Sequence, residues 1–151
     1  MNSLFPLLHQ LENHIPNLDK TNSKVSNSSI GWQIDHSLIV INGIIEQLEI
    51  SNPNEFQPKW NFPKFMVFTM GKIPRGKAKA PKVVIPTHVA TQEELKAKLQ
   101  AAKNNILKLN SFSENSFFKH PFFQDLNVKQ TEKFLLIHTK HHLKIIEDIL
   151  K

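Results

Sequence analysis

Cysteine is absent from this sequence of 151 residues. That absence excludes a disulfide framework, thiolate metal ligands and a cysteine nucleophile together, so any metal must sit on His, Asp or Glu. Long hydrophobic runs are missing too: nothing approaches the ~18 apolar residues needed to cross a bilayer. The stretch MNSLFPLLHQLENHIPNL carries no basic leader, and His, Gln, Glu and Asn interrupt its leucines. A soluble cytoplasmic chain with no membrane partner is the expectation. Strand alternation bounded by turn signals is not found, and no internal repeat is present, which points away from sheet and solenoid architectures.

Hydrophobic residues make up 40% of the chain and charged residues 21%, spread along most of its length. Such a composition excludes a disordered chain or a fibre and fits one globular domain over residues 1–151.

Leu4, Leu7, Leu8, Leu11 and Ile15 recur at helical spacing and predict a first helix near residues 3–19. After the polar segment TNSKVSNSS, Ser28 or Ser29 is placed to cap a second helix that runs to about Ile50. Between Ser51 and Ala90, Pro53, Pro58, Pro63, Pro74, Pro81 and Pro86 forbid a long regular helix and leave room for a short one at 62–70. Thr91 and Glu94 form a capping-box pair opening a third long helix to about Leu109. A phenylalanine-rich connector, FSENSFFKHPFFQDL, leads to a second such pair, Asn127 with Gln130, and a final helix.

Four long helices predict an all-α four-helix bundle. The second and third are separated far beyond the 2–8 residues usual between antiparallel neighbours. A long crossover of this kind lets helices 2 and 3 run parallel, with any short strand pair expected inside the crossover.

The formal charge of +6 is concentrated: GKIPRGKAKAPK, residues 71–82, carries five cations and no anion. Aromatic residues are missing between those cations, so nucleic acid is not expected as a partner. A solvated loop, or one closing over an anionic small molecule, are the two readings left. The spacing GxxxxGK[ST] of a phosphate-binding P-loop is not present.

The stretch FLLIHTKHHLKIIEDIL sets three histidines in an otherwise apolar helix. At 100° per residue His138 and His142 share a stripe with Thr131, Leu135, Ile145 and Ile149, while His141 lies beside it. On the second helix, Trp32, His36, Ile39, Gly43 and Gln47 form a stripe predicted to face the centre, with Gly43 allowing close approach. If these helices adjoin, His36, His138 and His142 meet, and three neutral imidazoles with an open position make a metal site of the catalytic type. The alternative is three core histidines bonded to carbonyls, hydroxyls or water. His120, before Pro121, reads as a structural ring holding the connector, or else as a fourth ligand or pocket wall. Asp35, Glu46 and Glu132 lie near in sequence, but at angles that do not bring them to the site. No general acid or base is marked.

SIGWQIDHSL on the second helix and HTKHHLKII on the last resemble the DinB-like (YfiT-related) superfamily of metal-binding four-helix bundles. With IPRGKAKAPK and HPFF, the pattern is similar to a bacterial branch catalogued as a domain of unknown function. The resemblance implies an up-down-down-up bundle and a triad of His36, His138 and His142, with His141 a companion outside the ligand set. In that branch a glycine commonly follows the His-Pro-x-Phe pattern, where this chain has Gln124. The implied cofactor is a divalent ion, zinc or nickel. The implied function is a metal-dependent transferase or hydrolase acting on a small molecule or a low-molecular-weight thiol. The alternative is a non-catalytic, stress-related binding module with a structural or vestigial metal. A homodimer is compatible with either.

Overall fold

Helices begin in the computed structural model, which describes residues 3–151, where local capping chemistry places them. They are α1 (Leu4–His14), α2 (Ile30–Ile50), α3 (Phe62–Met70), α4 (Gln92–Lys108) and α5 (Val128–Ile149). Ser29 caps α2 by accepting from the Trp32 amide at 3.2 Å. Thr91 with Glu94, and Asn127 with Gln130, each satisfy two backbone amides reciprocally. Caps of this kind contribute about 1 kcal/mol apiece. Helix α1 stops short of the predicted residue 19 because Pro16 has no amide hydrogen to continue the ladder, and the chain tightens into a 3-10 turn at Ile15–Asn17.

Helix α2 packs against α4 and α5, and α1 packs against the same two. Asp35 pairs with Lys98 at 2.5 Å, Asn42 Oδ1 accepts from Asn105 Nδ2 at 3.0 Å, and Glu49 pairs with Lys108 at 2.9 Å. Partner numbers rise together, so α2 and α4 run parallel, as the long connection over residues 51–91 allows. Contacts from α2 to α5 run the other way, Gln33 to His142 and His36 to His138.

The molecule is not purely helical. A two-stranded antiparallel hairpin, β1 (Phe117–His120) and β2 (Gln124–Asn127), pairs Phe117 with Asn127 and His120 with Gln124. It lies in the connector before α5, whereas the crossover holds two 3-10 turns and, among the described residues, no strand pair. Four-residue strands are too short to display alternation, which is why FFKH and QDLN do not read as strands. Pro121–Phe123 form the loop, and Gln124 follows in the left-handed region at φ 62°. A left-handed residue after a three-residue loop matches strand twist, and glycine adopts it at least cost. The Gln57 amide donates to Asp125 Oδ2 and the Phe117 amide to Ser51 Oγ, fastening the hairpin to the start of the crossover.

The predicted inner stripe of α2 is also corrected. Ile30, Ile34, Leu38, Ile41, Ile45 and Leu48 have little or no solvent exposure and form the central stripe, each worth roughly 1.5–3 kcal/mol of apolar transfer as an upper bound. Gln47 is exposed, and a Cβ at Gly43 would meet nothing within 4 Å. The close approach is at Gly31, where a Cβ would lie 3.0 Å from the Leu18 carbonyl oxygen. His36 therefore stands on the flank of the core, on the side the crossover covers. Among the described residues no helix is long and apolar enough to cross a membrane.

Candidate metal centre

Each ring of the predicted triad is set by a helix that its own cap and apolar stripe hold in place. His36 lies in the second turn of α2, and His138 and His142 are one turn apart on α5. All three are less than a tenth exposed. Ring centroids are 5.1 Å apart for His36 and His138, 4.7 Å for His36 and His142, and 4.5 Å for His138 and His142. One nitrogen from each ring lies within 4.8 Å of the others, the only such group of possible metal donors among the described residues.

Hydrogen bonds assign the nitrogens. His36 Nδ1 donates to the Val84 carbonyl at 2.8 Å, which leaves the Nε2 lone pair free. His142 Nδ1 donates to Gln33 Oε1 at 2.6 Å, with the same consequence. Gln33 is itself oriented by Ser26 Oγ, 3.3 Å from its Nε2. This is the arrangement of metal-ligating histidines, whose outward nitrogen is fixed by a carbonyl or amide partner. The third ring differs. His138 Nδ1 is buried and has no partner, and an uncompensated polar atom costs about 1–3 kcal/mol.

Burial holds all three rings below the ordinary imidazole value, and does so most strongly for His138 and His142. Repulsion from neighbouring histidines adds to the shift of both. For His36 the Val84 bond and the Asp35 carboxylate oppose burial without overcoming it. The rings are thus neutral near pH 7, the form that binds metal. A donor set of three imidazoles with no carboxylate suits zinc, nickel, copper or iron rather than magnesium or calcium.

The other sequence candidates fall outside the cluster. His141 meets His142 edge-on at 5.0 Å, but its ring bonds the Ile73 carbonyl, and burial with the nearby Arg75 charge lowers its pKa. His120 Nδ1 accepts from the amides of Phe122 and Phe123 at 3.0 and 3.1 Å, and the ring stacks on Phe123 at 4.1 Å. It holds the hairpin turn. Asp35 is buried against Lys98, and Glu46 is exposed on α2. His9 sits near Glu12 and His88 pairs with Glu94, both on the surface. Trp32, expected in the core, is only half-buried; it stacks on His36 at 4.9 Å and lines a cavity of about 340 Å³ with Ser29, Asp35 and Thr87.

Two contributors escaped the sequence reading. Gln33 carried a signal, a buried amide in the apolar run SIGWQIDH. Val84 carried none, because it acts through a backbone carbonyl that every residue possesses. Comparison of the chain with protein-family models, curated proteins and solved structures finds no match.

Proposed function

We propose that this chain is a divalent-metal-binding protein of the DinB-like type, an up-down-down-up four-helix bundle that holds its ion on His36, His138 and His142. One observation carries the reading: two rings are pinned by their Nδ1 atoms so that their Nε2 atoms are free, beside a third with an orphaned buried nitrogen. Core histidines bonded only to protein would leave no such surplus. Among the described residues no fourth protein donor joins the cluster, and three protein ligands with an open position characterise catalytic rather than structural sites.

A bound zinc or nickel ion would supply Lewis acidity, lowering the pKa of a water or thiol nearby. The chain's own part is to keep three imidazoles neutral, to fix two of them through Val84 and Gln33, and to shield the site with Trp32. The reaction this supports is thiol transfer or hydrolysis on a small molecule, and with no cysteine in the chain a thiol must arrive as cosubstrate.

Burial favours a second reading, a non-catalytic binding module: all three rings are largely enclosed, and Trp32 lies over His36. Elemental analysis of untagged protein, with melting measured before and after chelation at pH 7.5, tests the shared premise. About one zinc or nickel per chain and a lower melting temperature after chelation are expected. No metal and no response to chelator would end both readings. A thiol-transfer and hydrolysis screen of metal-loaded protein then separates them, turnover supporting the enzyme and its absence the module.

A further inference from the structure

Helix α3, FPKFMVFTM, is apolar but for Lys64 and Thr69, a character that ordinarily belongs to a helix enclosed by protein. Only Lys64 and Val67 are buried. Phe62, Phe65, Met66 and Met70 face outward, and Trp60 just before the helix is 74% exposed. Asn61 Nδ2 bonds the Phe122 carbonyl at 3.2 Å, which adds the half-exposed Phe122 of the hairpin tip to the same neighbourhood.

Charge identifies what would cover this face. Residues 56–91 hold seven of the chain's 19 Lys and Arg and none of its 13 Asp and Glu, so the net charge of +6 resides there. Lys59 precedes Trp60, and Lys72 follows the left-handed Gly71 that ends α3. Lys133 of α5 lies 5.7 Å from the Phe68 ring centroid. An open cavity of about 260 Å³, lined by Trp60, Phe65, Phe68 and Lys133 together with the buried Lys64, whose Nζ donates to the Lys59 carbonyl, opens on this side. Arg75 is neutralised by Asp148 at 2.8 Å, whereas Lys72, Lys77, Lys79 and Lys82 make no ion pair among the described residues.

We infer that α3 and the basic crossover segment form an interfacial docking surface for an anionic lipid bilayer. Trp, Phe and Met side chains seat at headgroup depth while lysines meet lipid phosphates, and each lysine near such a surface adds about 1 kcal/mol. A second copy of the chain would bring the same cations to the face and be repelled. Nucleic acid would use the cations and rings, but Met66, Met70 and the exposed Val83 offer nothing for bases to stack on. The surface lies on the membrane and does not span it. It departs from the expectation of no membrane partner and is independent of the metal reading.

Flotation of the full chain with phosphatidylcholine vesicles, with and without phosphatidylglycerol, tests the inference. The expected result is binding only to the anionic vesicles, weakening as salt rises, with a blue shift in tryptophan emission that Trp60→Phe abolishes. Phe65→Ser with Met70→Ser should weaken binding at least tenfold while circular dichroism is unchanged; Trp60→Ser, on the exposed flank, serves if that pair does not fold. Lys77→Ala with Lys79→Ala should weaken it about thirtyfold, or fivefold for each lysine. No binding to anionic vesicles at low salt would overturn the proposal, as would binding untouched by the apolar substitutions. So would an oligonucleotide complex, or self-association, that depends on Trp60 and Phe65 while vesicles stay unbound.

Discussion

His120, partly buried, and His138, buried, are each packed against Phe134, yet they differ in what their nitrogens meet. His120 Nδ1 receives two backbone amides of its own turn; His138 Nδ1 receives nothing. Burial alone therefore does not mark a ligand. A histidine is available to a metal when the protein has left one of its nitrogens over, and the hairpin ring shows what a satisfied histidine looks like in the same molecule.

The largest effect that can break this contrast is on metal content. His36→Ala, His138→Ala and His142→Ala should each reduce bound metal from about one per chain to near zero. Their stability losses should not add, because ligands of one ion act as a unit. His141→Ala and His120→Ala should retain metal by elemental analysis; loss in either would place that ring in the ligand set.

His120 itself should matter for stability. His120→Ala leaves two turn amides without an acceptor and removes a stacked ring, at a cost of about 2–4 kcal/mol in urea unfolding. The pH dependence has a definite sign. Burial lowers the folded pKa of His120 to about 4, below the ~6.5 of the unfolded chain. The unfolded state takes up the proton first as pH falls, so the contribution is complete above pH ~6.5 and is lost progressively towards pH ~4. In metal-free protein, His120→Asn, which keeps an acceptor for the turn, should flatten stability against pH in that window by on the order of 3 kcal/mol. An unchanged slope would assign the dependence to the other histidines.

Gln33→Ala should act at one remove, lowering metal affinity 10- to 100-fold in a competitive chelator titration without abolishing binding. The smallest effect is a gain. Gln124→Gly relieves a left-handed side-chain residue and should stabilise the protein by about 1 kcal/mol in the same urea measurement, with metal content unchanged.

The caps were legible in the sequence because their chemistry spans three residues: Ser29, the Thr91–Glu94 box and the Asn127–Gln130 box are where their residue types placed them. The triad was legible because the His138–His142 spacing survives any packing, and only the meeting with His36 depended on helix neighbours. The stripe carrying His36 was misread because mean polarity does not reveal which side of an apolar helix is central. Ile39 and Gly43 suit a flank as well as a core, and only the tertiary packing chose the Ile34–Leu38–Ile41 face. The hairpin depended on one residue tolerating positive φ, which Gln124 does not announce.

The bond between His142 and Gln33 joins residues 109 positions apart. Synthesis from the N-terminus therefore presents α2 long before its partner exists. Until α5 docks, His36 is a lone imidazole on an incomplete core, with neither the pinned ring of His142 nor the orphaned nitrogen of His138 beside it. A single imidazole holds a divalent ion weakly, so on the proposed metal reading loading would follow the closing of the fold. An ion bound by the triad would thus be a late arrival to a finished tertiary structure, rather than a template around which the nascent chain collects.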